Sequence, residues 1–508
     1  MKSNVKRILS LLLVMAMMLT LFTACGKKEE AGVKTADEEF TIDGTDDGTT
    51  DGDATATESG VETGTSSGGQ TGTSSGGSGG ISGSSGNGSQ GSSGNTNLDN
   101  VKSSKQVLKQ VPSSLRGTTL KVVSWNEKGE VPGADKVIAN FTKATGIKVE
   151  WKRITYDDNQ YFNQVATTAN AGDGYDIMRY QTPDITKMQI AQDLKTATGF
   201  DFENDDVWDS FTRDQFTIGG KLYGINLKNT FNMQPRVIHY SQTTIDAYGY
   251  DDPYELWKDG KWTYDKFIQM CKDFKADAGT GKYGWMTSNF YDYMYMEGLN
   301  TITYNSKTNK YVCNIGKQNL KIALEKVASN MTAGIISPQT RSHDNLENGN
   351  HLFFSDNIIG SRKTDSHYSK LKTTRAQDGQ TALRCVPMPT IKGKTYYQYM
   401  QETEAYGIPK GAKNPKAVYY FLRYFLDANN YDEKTFFTNA QALEVYKWCR
   451  DQKNKFAASY SNTNSKQLEH YFDAGTRENQ VSSVLQTIKP IAENEVKDWN
   501  NIIAKMKK

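Results

Sequence analysis

The acids best suited to general acid–base work are Glu402 and Glu404, two residues apart just ahead of a predicted strand. On a strand they point the same way, roughly 6.5–7 Å apart, whereas glycoside hydrolysis needs two carboxylates flanking the scissile bond. They read as acceptors for ligand hydroxyls or as plain solvated acids. Residues 64–68 and 72–76 both match the G-x-S-x-G nucleophile pattern, but they lie in a Gly/Ser-rich stretch that offers no strand–turn–helix to strain a serine. Gly279-Thr-Gly-Lys-Tyr-Gly284 matches G-x-G-x-x-G, yet it follows a predicted helix where a dinucleotide turn should follow a strand. His343 and His351, with Asp344 nearby, suit no helix face and have no His-Glu pair beside them, so they read as loop histidines. No metal or cofactor is expected.

One cysteine does suggest chemistry. Lys2, Lys6 and Arg7 precede residues 8–22, which are apolar except for Ser10 and Thr20. That run is shorter than the ~20 residues of a spanning helix and fits the apolar part of a secretory signal. Leu21-Phe22-Thr23-Ala24-Cys25 then resembles the bacterial lipobox, in which the cysteine thiol takes a diacylglycerol thioether before cleavage. Residues 1–24 are thus expected to be a lipoprotein signal, with Cys25 attached to lipid on the outer side of the cell membrane. Of the other cysteines, Cys271, Cys313, Cys385 and Cys449, none forms a C-x-x-C pair, and free buried thiols are the preferred reading over disulfides.

The elements behind these residues begin late in the chain. Between residues 29 and 62 there are twelve acids and one lysine, and residues 64–97 are almost only Gly, Ser, Thr, Asn and Gln. Residues 25–116 therefore read as a disordered tether, too poor in apolar surface to offset chain entropy. The net charge of the whole chain is +2, with no Lys/Arg block among aromatics, which argues against nucleic acid as a partner. From residue 117 onward, strand and helix patterns alternate. The 120–125 strand, a helix over 134–145 and a strand through Ile147, Val149 and Trp151 predict a parallel βαβ unit. A hairpin is expected around Gly219-Gly220, a polar one at 301–314, and helices from Thr263, over 320–331, from Pro415 and over 481–508, the last interrupted at Pro490. So much α/β pattern implies two lobes.

Several stretches in order carry a resemblance: Ile218-Gly-Gly-Lys-Leu-Tyr-Gly-Ile225, Val237-Ile-His-Tyr240, Tyr248-Gly-Tyr-Asp-Asp-Pro253, Trp262-Thr-Tyr-Asp-Lys-Phe267, Val386-Pro-Met-Pro389 and Ala405-Tyr-Gly-Ile-Pro-Lys-Gly-Ala-Lys-Asn-Pro415. Together they resemble the extracellular solute-binding proteins of ABC importers, in the branch that includes maltodextrin-binding proteins. The resemblance implies an α/β fold of two hinged lobes, with lobe 1 at about 117–234 and 400–440 and lobe 2 at about 235–399 and 441–508. It also implies a small-molecule ligand, a permease as partner, a monomer, and binding in place of catalysis.

Aromatics supply the candidate site. Tyr, Trp and Phe make up 11% of the chain and gather at the ends of predicted strands. Ligands of open α/β sheets sit at the carboxyl ends of strands. Sugar rings offer C–H faces to aromatic rings, while their hydroxyls need Asp, Glu, Asn and Arg. Trp125, Tyr180 and Tyr291 fall where the family places cleft residues, and Asn126, Tyr156, Asn289 and Glu402 complete the expected set. Core packing is the competing reading for each aromatic, and the preferred one for Trp285, Phe290 and Tyr295. A carbohydrate is the expected ligand; a binder of peptides or other polar solutes is the alternative, and a surface glycoside hydrolase, which would need an acid/base pair across the cleft, is the third reading.

Overall fold

The computed structural model describes residues 104–506, apart from 129, 130, 132, 156, 157, 182, 204–206, 229–232, 288–290, 338–341, 429–435 and 458–479. The signal, Cys25 and the tether as far as residue 103 lie outside the described residues. The end of the expected tether needs correction: Ser104–Gln110 is a helix that buries Val107 and packs on the helix Pro415–Ala428.

Strands β1 (Thr119–Ser124) and β2 (Lys148–Arg153) are parallel, as the long crossover between them requires. The connecting helix, Ala134–Thr145, buries Val137, Ile138 and Phe141 and ends at Gly146, whose φ of 73° is the left-handed cap that glycine adopts without a Cβ clash. β3 (Ile177–Tyr180) pairs with the other side of β1. Short helices follow, each opened by a carboxylate that accepts from a backbone N–H: Asp184, Asp193 and Asp209. The hairpin of β4 (Thr217–Ile218) and β5 (Lys221–Leu222) turns through Gly219 and Gly220, both at positive φ.

β6 (Met233–Ser241) is buried along its whole length, as the centre of a second sheet must be. Around it the chain adds β7 (Tyr283–Thr287), the separate hairpin of β8 (Ile302–Asn305) and β9 (Lys310–Cys313), β10 (His351–Asn357), β11 (Leu383–Pro387) and β12 (Gln398–Thr403). β13 (Ala405–Gly407) returns antiparallel to β3, and β14 (Lys455–Phe456) pairs with β12. The sheets therefore run β13-β3-β1-β2 and β14-β12-β6-β10-β7, with β11 pairing the later half of β6. Two α/β lobes result. The chain passes between them from β5 to β6 and again from β12 to β13. Helix Pro415–Ala428 then packs in the first lobe and helix Ala440–Arg450 against β11 in the second.

Aromatic packing fills both lobes. Phe200 and Tyr419 stack with centroids 3.7 Å apart in the first, and Phe267 meets Trp262, Trp285 and Phe353 in the second. Trp285 and Tyr295 are buried, so core packing holds for both; Phe290 lies outside the described residues. Further expectations need correction. Helix Val481–Met506 runs through Pro490 without interruption, because Leu485, Ile488, Ala492 and Trp499 bury one face and outweigh the lost hydrogen bond. Neither histidine is a loop residue: His343 opens the helix His343–Glu347, and His351 opens β10, fully buried, with its ring stacked 5.7 Å from that of Tyr283. The four cysteines of the described residues are unbridged, and three of them are buried. Among the described residues no helix is long and apolar enough to cross a membrane.

Candidate functional site

Two polar regions lie where the lobes meet, and the first is the strand that crosses between them. A bulge between Met400 and Glu402 breaks its pairing with β6, so successive side chains reach different lobes. Gln401 Oε1 accepts from Arg236 Nη1 at 2.6 Å in the second lobe, and Glu404 forms an ion pair with Arg179 in the first. The Thr403 N–H donates to the Gln181 carbonyl and Asn226 Nδ2 to the Glu404 carbonyl, both at 3.0 Å.

Each arginine is enclosed by partners. Arg236 is buried, meets both oxygens of Asp292 at 2.7 and 3.0 Å, and donates to the Ser355 carbonyl at 3.0 Å. Burial alone would lower its pKa, but Asp292 and Asp356 hold it raised. Thr287 and Ser355 hydroxyls donate to the same Asp292 carboxylate. Arg179 lies 4.4 Å above the Trp125 ring and donates to Asn126 Oδ1 at 2.6 Å. Glu402 stands between these pairs: burial raises its carboxyl pKa, Glu404 and Asp356 push the same way, and a hydrogen bond with Gln181 opposes them.

The second region is a cavity of about 770 Å³, within the range of small-ligand sites. One wall comes from the first lobe: Pro183, Asp214, Gln215, Thr217 and Ile218. The facing wall comes from the second: Asn300, Thr303, Tyr304, Ser306, Tyr311, Tyr397 and residues 453–457. Phe456 of that wall is backed by Tyr399 and Tyr295, whose rings stack at 4.0 Å. Burial, with Asp209 adding, raises the Asp214 pKa, and burial lowers that of Lys455.

The structure brings together Trp125, Asn126 and Glu402 at the crossing strand, with Arg179 and Glu404 among them. Tyr180 is a correction: it is fully buried, packed against Phe162 and Phe216 within the first lobe, because it points into the sheet's covered face. Tyr291 is 6% exposed and sits 5.8 Å from Tyr295, behind the aromatic wall. Tyr156 and Asn289 lie outside the described residues. None of the described members of the expected set lines the cavity. Sequence reasoning missed Tyr304, Tyr311, Tyr397 and Phe456. The signal was present in the 301–314 hairpin, where Tyr304 and Tyr311 are cross-strand partners, but it read as a polar appendage.

Among the described residues no group of three or more His, Cys, Asp or Glu side chains could hold a metal. The Gly279–Gly284 motif caps the end of a helix and leads into β7, where a Cβ at Gly284 would lie 2.3 Å from that of Cys271, so these glycines serve a helix stop and close packing.

The profile of the bacterial extracellular solute-binding proteins matches residues 136–440. The chain belongs to that family. This solute-binding protein is accordingly a binder and not an enzyme, in keeping with a Glu404 already neutralised by Arg179. No curated protein sequence matches it significantly. Its fold is similar to that of the galacto-N-biose-/lacto-N-biose I-binding protein of an ABC transporter from Bifidobacterium longum, with TM-score 0.58 and 14% identity over 75% of this chain and 97% of that one. It is likewise similar to the sugar-binding protein MalE of Xanthomonas citri, with TM-score 0.57 and 13% identity over 77% and 98%. A Staphylococcus aureus extracellular solute-binding protein in complex with maltose gives TM-score 0.54 and 14% identity over 77% and 98%.

Proposed function

We propose that this solute-binding protein captures a carbohydrate, an oligosaccharide in size, and hands it to the permease of an ABC importer while tethered through lipid on Cys25. The observation that carries the reading is the lining of the interlobe cavity, where amides and hydroxyls of Asn300, Thr303, Ser306 and Asn454 alternate with the rings of Tyr304, Tyr311, Tyr397 and Phe456. Neutral hydrogen-bonding groups beside aromatic faces suit a polyhydroxylated ring. The sugar-bound relatives of the same fold support it. A second reading, a binder of peptides or other polar solutes, is favoured by Asp214, Lys453 and Lys455 in the same lining.

A thermal-shift screen of the full chain separates the two. A ligand at 100 times its Kd stabilises the native state by about 2.7 kcal/mol, enough to raise Tm by several degrees. Malto-oligosaccharides or lacto-N-biose are expected to raise it; a rise with oligopeptides alone would select the second reading. Anchoring is tested separately. Cys25→Ser removes the sulfur a thioether needs, so membrane fractionation should find the variant released or unprocessed, and a processed variant that stays membrane-bound refutes the anchor.

A further inference from the structure

One side chain ties the cavity's two walls directly. Tyr304 belongs to β8 in the second lobe, and its hydroxyl accepts from the Gly219 N–H of the β4–β5 turn, in the first lobe, at 2.9 Å. The same hydroxyl donates to Asn309 Oδ1, also at 2.9 Å, so its proton and lone pair both have assigned directions. The local structure aims it. Asn309 holds a left-handed φ of 51° at the end of the β8–β9 turn, and Asn305 Oδ1 accepts from the Lys307 and Thr308 amides to shape the tip. On the other side, the tight β4–β5 turn presents the Gly219 amide outward.

The crossing bond is made at the Tyr304–Tyr311 rung, next to the turn of the second-lobe hairpin. That rung is fixed to its own lobe: Asn500 of the C-terminal helix pairs with both the N–H and the carbonyl of Tyr311, and Trp499 packs 4.7 Å from the Tyr311 ring. The first-lobe hairpin is held to its own lobe by Asp193, which accepts from the Leu222 N–H, and by the Ile225–Tyr406 bridge, while Lys221 Nζ donates to the Met506 carbonyl at the end of the C-terminal helix at 2.7 Å. Thr217 and Ile218 on one side and Thr303, Tyr304 and Ser306 on the other line the cavity between the hairpins.

We propose that Tyr304 is a positioning residue that latches the two hairpins across the cavity, so that solute leaves more slowly while its bond to the Gly219 amide holds. The inference rests on the cavity being the solute site. A hydrogen bond of this kind changes an equilibrium by about 2- to 13-fold, and in related complexes such changes fall mainly on dissociation.

Hydrogen exchange of the full chain without ligand tests the latch directly. In Tyr304→Phe the ring still packs against Tyr311 at 5.2 Å but the hydroxyl is gone. The Gly219 amide should then exchange about 2- to 13-fold faster, while helix Tyr264–Ala278 keeps its rate. Unchanged exchange at Gly219 overturns the proposal. Asn309→Gly, which tolerates the left-handed φ and removes the orienting acceptor, should give a smaller change in the same direction and stands in should the first variant fold poorly. With maltotetraose as probe, Tyr304→Phe should speed dissociation by a similar factor. Equal dissociation from variant and wild type also overturns the latch. Failure of maltotetraose to bind wild type counts against the carbohydrate reading and leaves the exchange result to decide the latch.

Discussion

The crossing strand and the cavity are both polar places between the lobes, but they differ in how far their polar groups are committed. At the crossing strand Arg236, Asp292, Thr287, Ser355 and Gln401 satisfy one another, and Arg179 is shared among Glu404, Asn126 and the Trp125 ring. Around the cavity, hydroxyls, amides and ring faces border open space. A buried charge must be paired to exist at all, so a dense ion-pair network reports on how the lobes are joined. Polar groups that border open space beside aromatic faces report on what the molecule holds, even where one of their bonds is already made, as at Thr303 Oγ1 and Asn454 Nδ2. The acids that draw the eye in the sequence belong to the first class.

Removing one member of the network should break that comparison most forcefully. Arg236→Ala leaves Asp292 buried with no cation, and breaking such a pair costs about 3–5 kcal/mol. Thermal or urea unfolding should show that loss. A variant with wild-type stability and weakened solute binding would instead make Arg236 a ligand contact.

Acid should strike the lobes before the cavity. Burial lowers the His351 pKa to about 4, and burial, with His343, Lys372 and Arg236 facing it and Asp356 opposing, lowers that of His239 to about 3. Unfolded histidine titrates near 6.5, so the unfolded chain binds more protons between the two values and stability rises with pH across that window. The contribution is complete above about pH 6.5 and is lost as pH falls toward about 4. Both ring nitrogens of His351 lack partners among the described residues, and the ring stacks on Tyr283. His351→Phe should therefore fold and flatten the slope of Tm between pH 7 and 5; an unchanged slope would place the acid sensitivity elsewhere.

The cavity side is sharpened by Phe456→Ala. By analogy with base stacking, losing one aromatic contact with a ring should weaken binding by about 1–3 kcal/mol, or about 5- to 150-fold in Kd. Phe456 is only half-buried, so stability should fall far less than for a core phenylalanine. Titration calorimetry beside a melting curve reads both. Trp125→Ala makes the converse case: with Arg179 on its face and the Tyr161 ring 5.8 Å away, it should lose stability more than affinity.

These contrasts explain what was legible in the sequence. Periodicity found the βαβ start, the two turn glycines and the helix from Thr263, because each rests on local spacing or a cap. Trp125 and Asn126 directly follow the end of β1 and Glu402 lies one residue before the end of β12, so strand ends alone place them where the chain crosses. Tyr180 went wrong because the end of a strand specifies position and not which face the side chain takes. Tyr397 and Phe456 stayed hidden because they come together only through the β12–β14 pairing of segments more than fifty residues apart.

The smallest expected effect concerns Glu402, and its sign runs opposite to that of the histidines. Burial, with Glu404 and Asp356 facing it, raises its pKa, while Gln181 and Arg362 oppose the shift. The folded chain thus binds more protons than the unfolded one above about pH 4.3, and stability falls as pH rises through the raised pKa. Its favourable share is complete at low pH and lost toward neutrality. Glu402→Gln keeps a hydrogen-bonding side chain for Gln181 and never ionises. It should raise Tm slightly at pH 7 and leave Tm unchanged near pH 4. If instead the variant melts as wild type at both pH values but loses solute affinity, Glu402 is a ligand acceptor, and the division between a committed crossing strand and an open cavity does not hold at this residue.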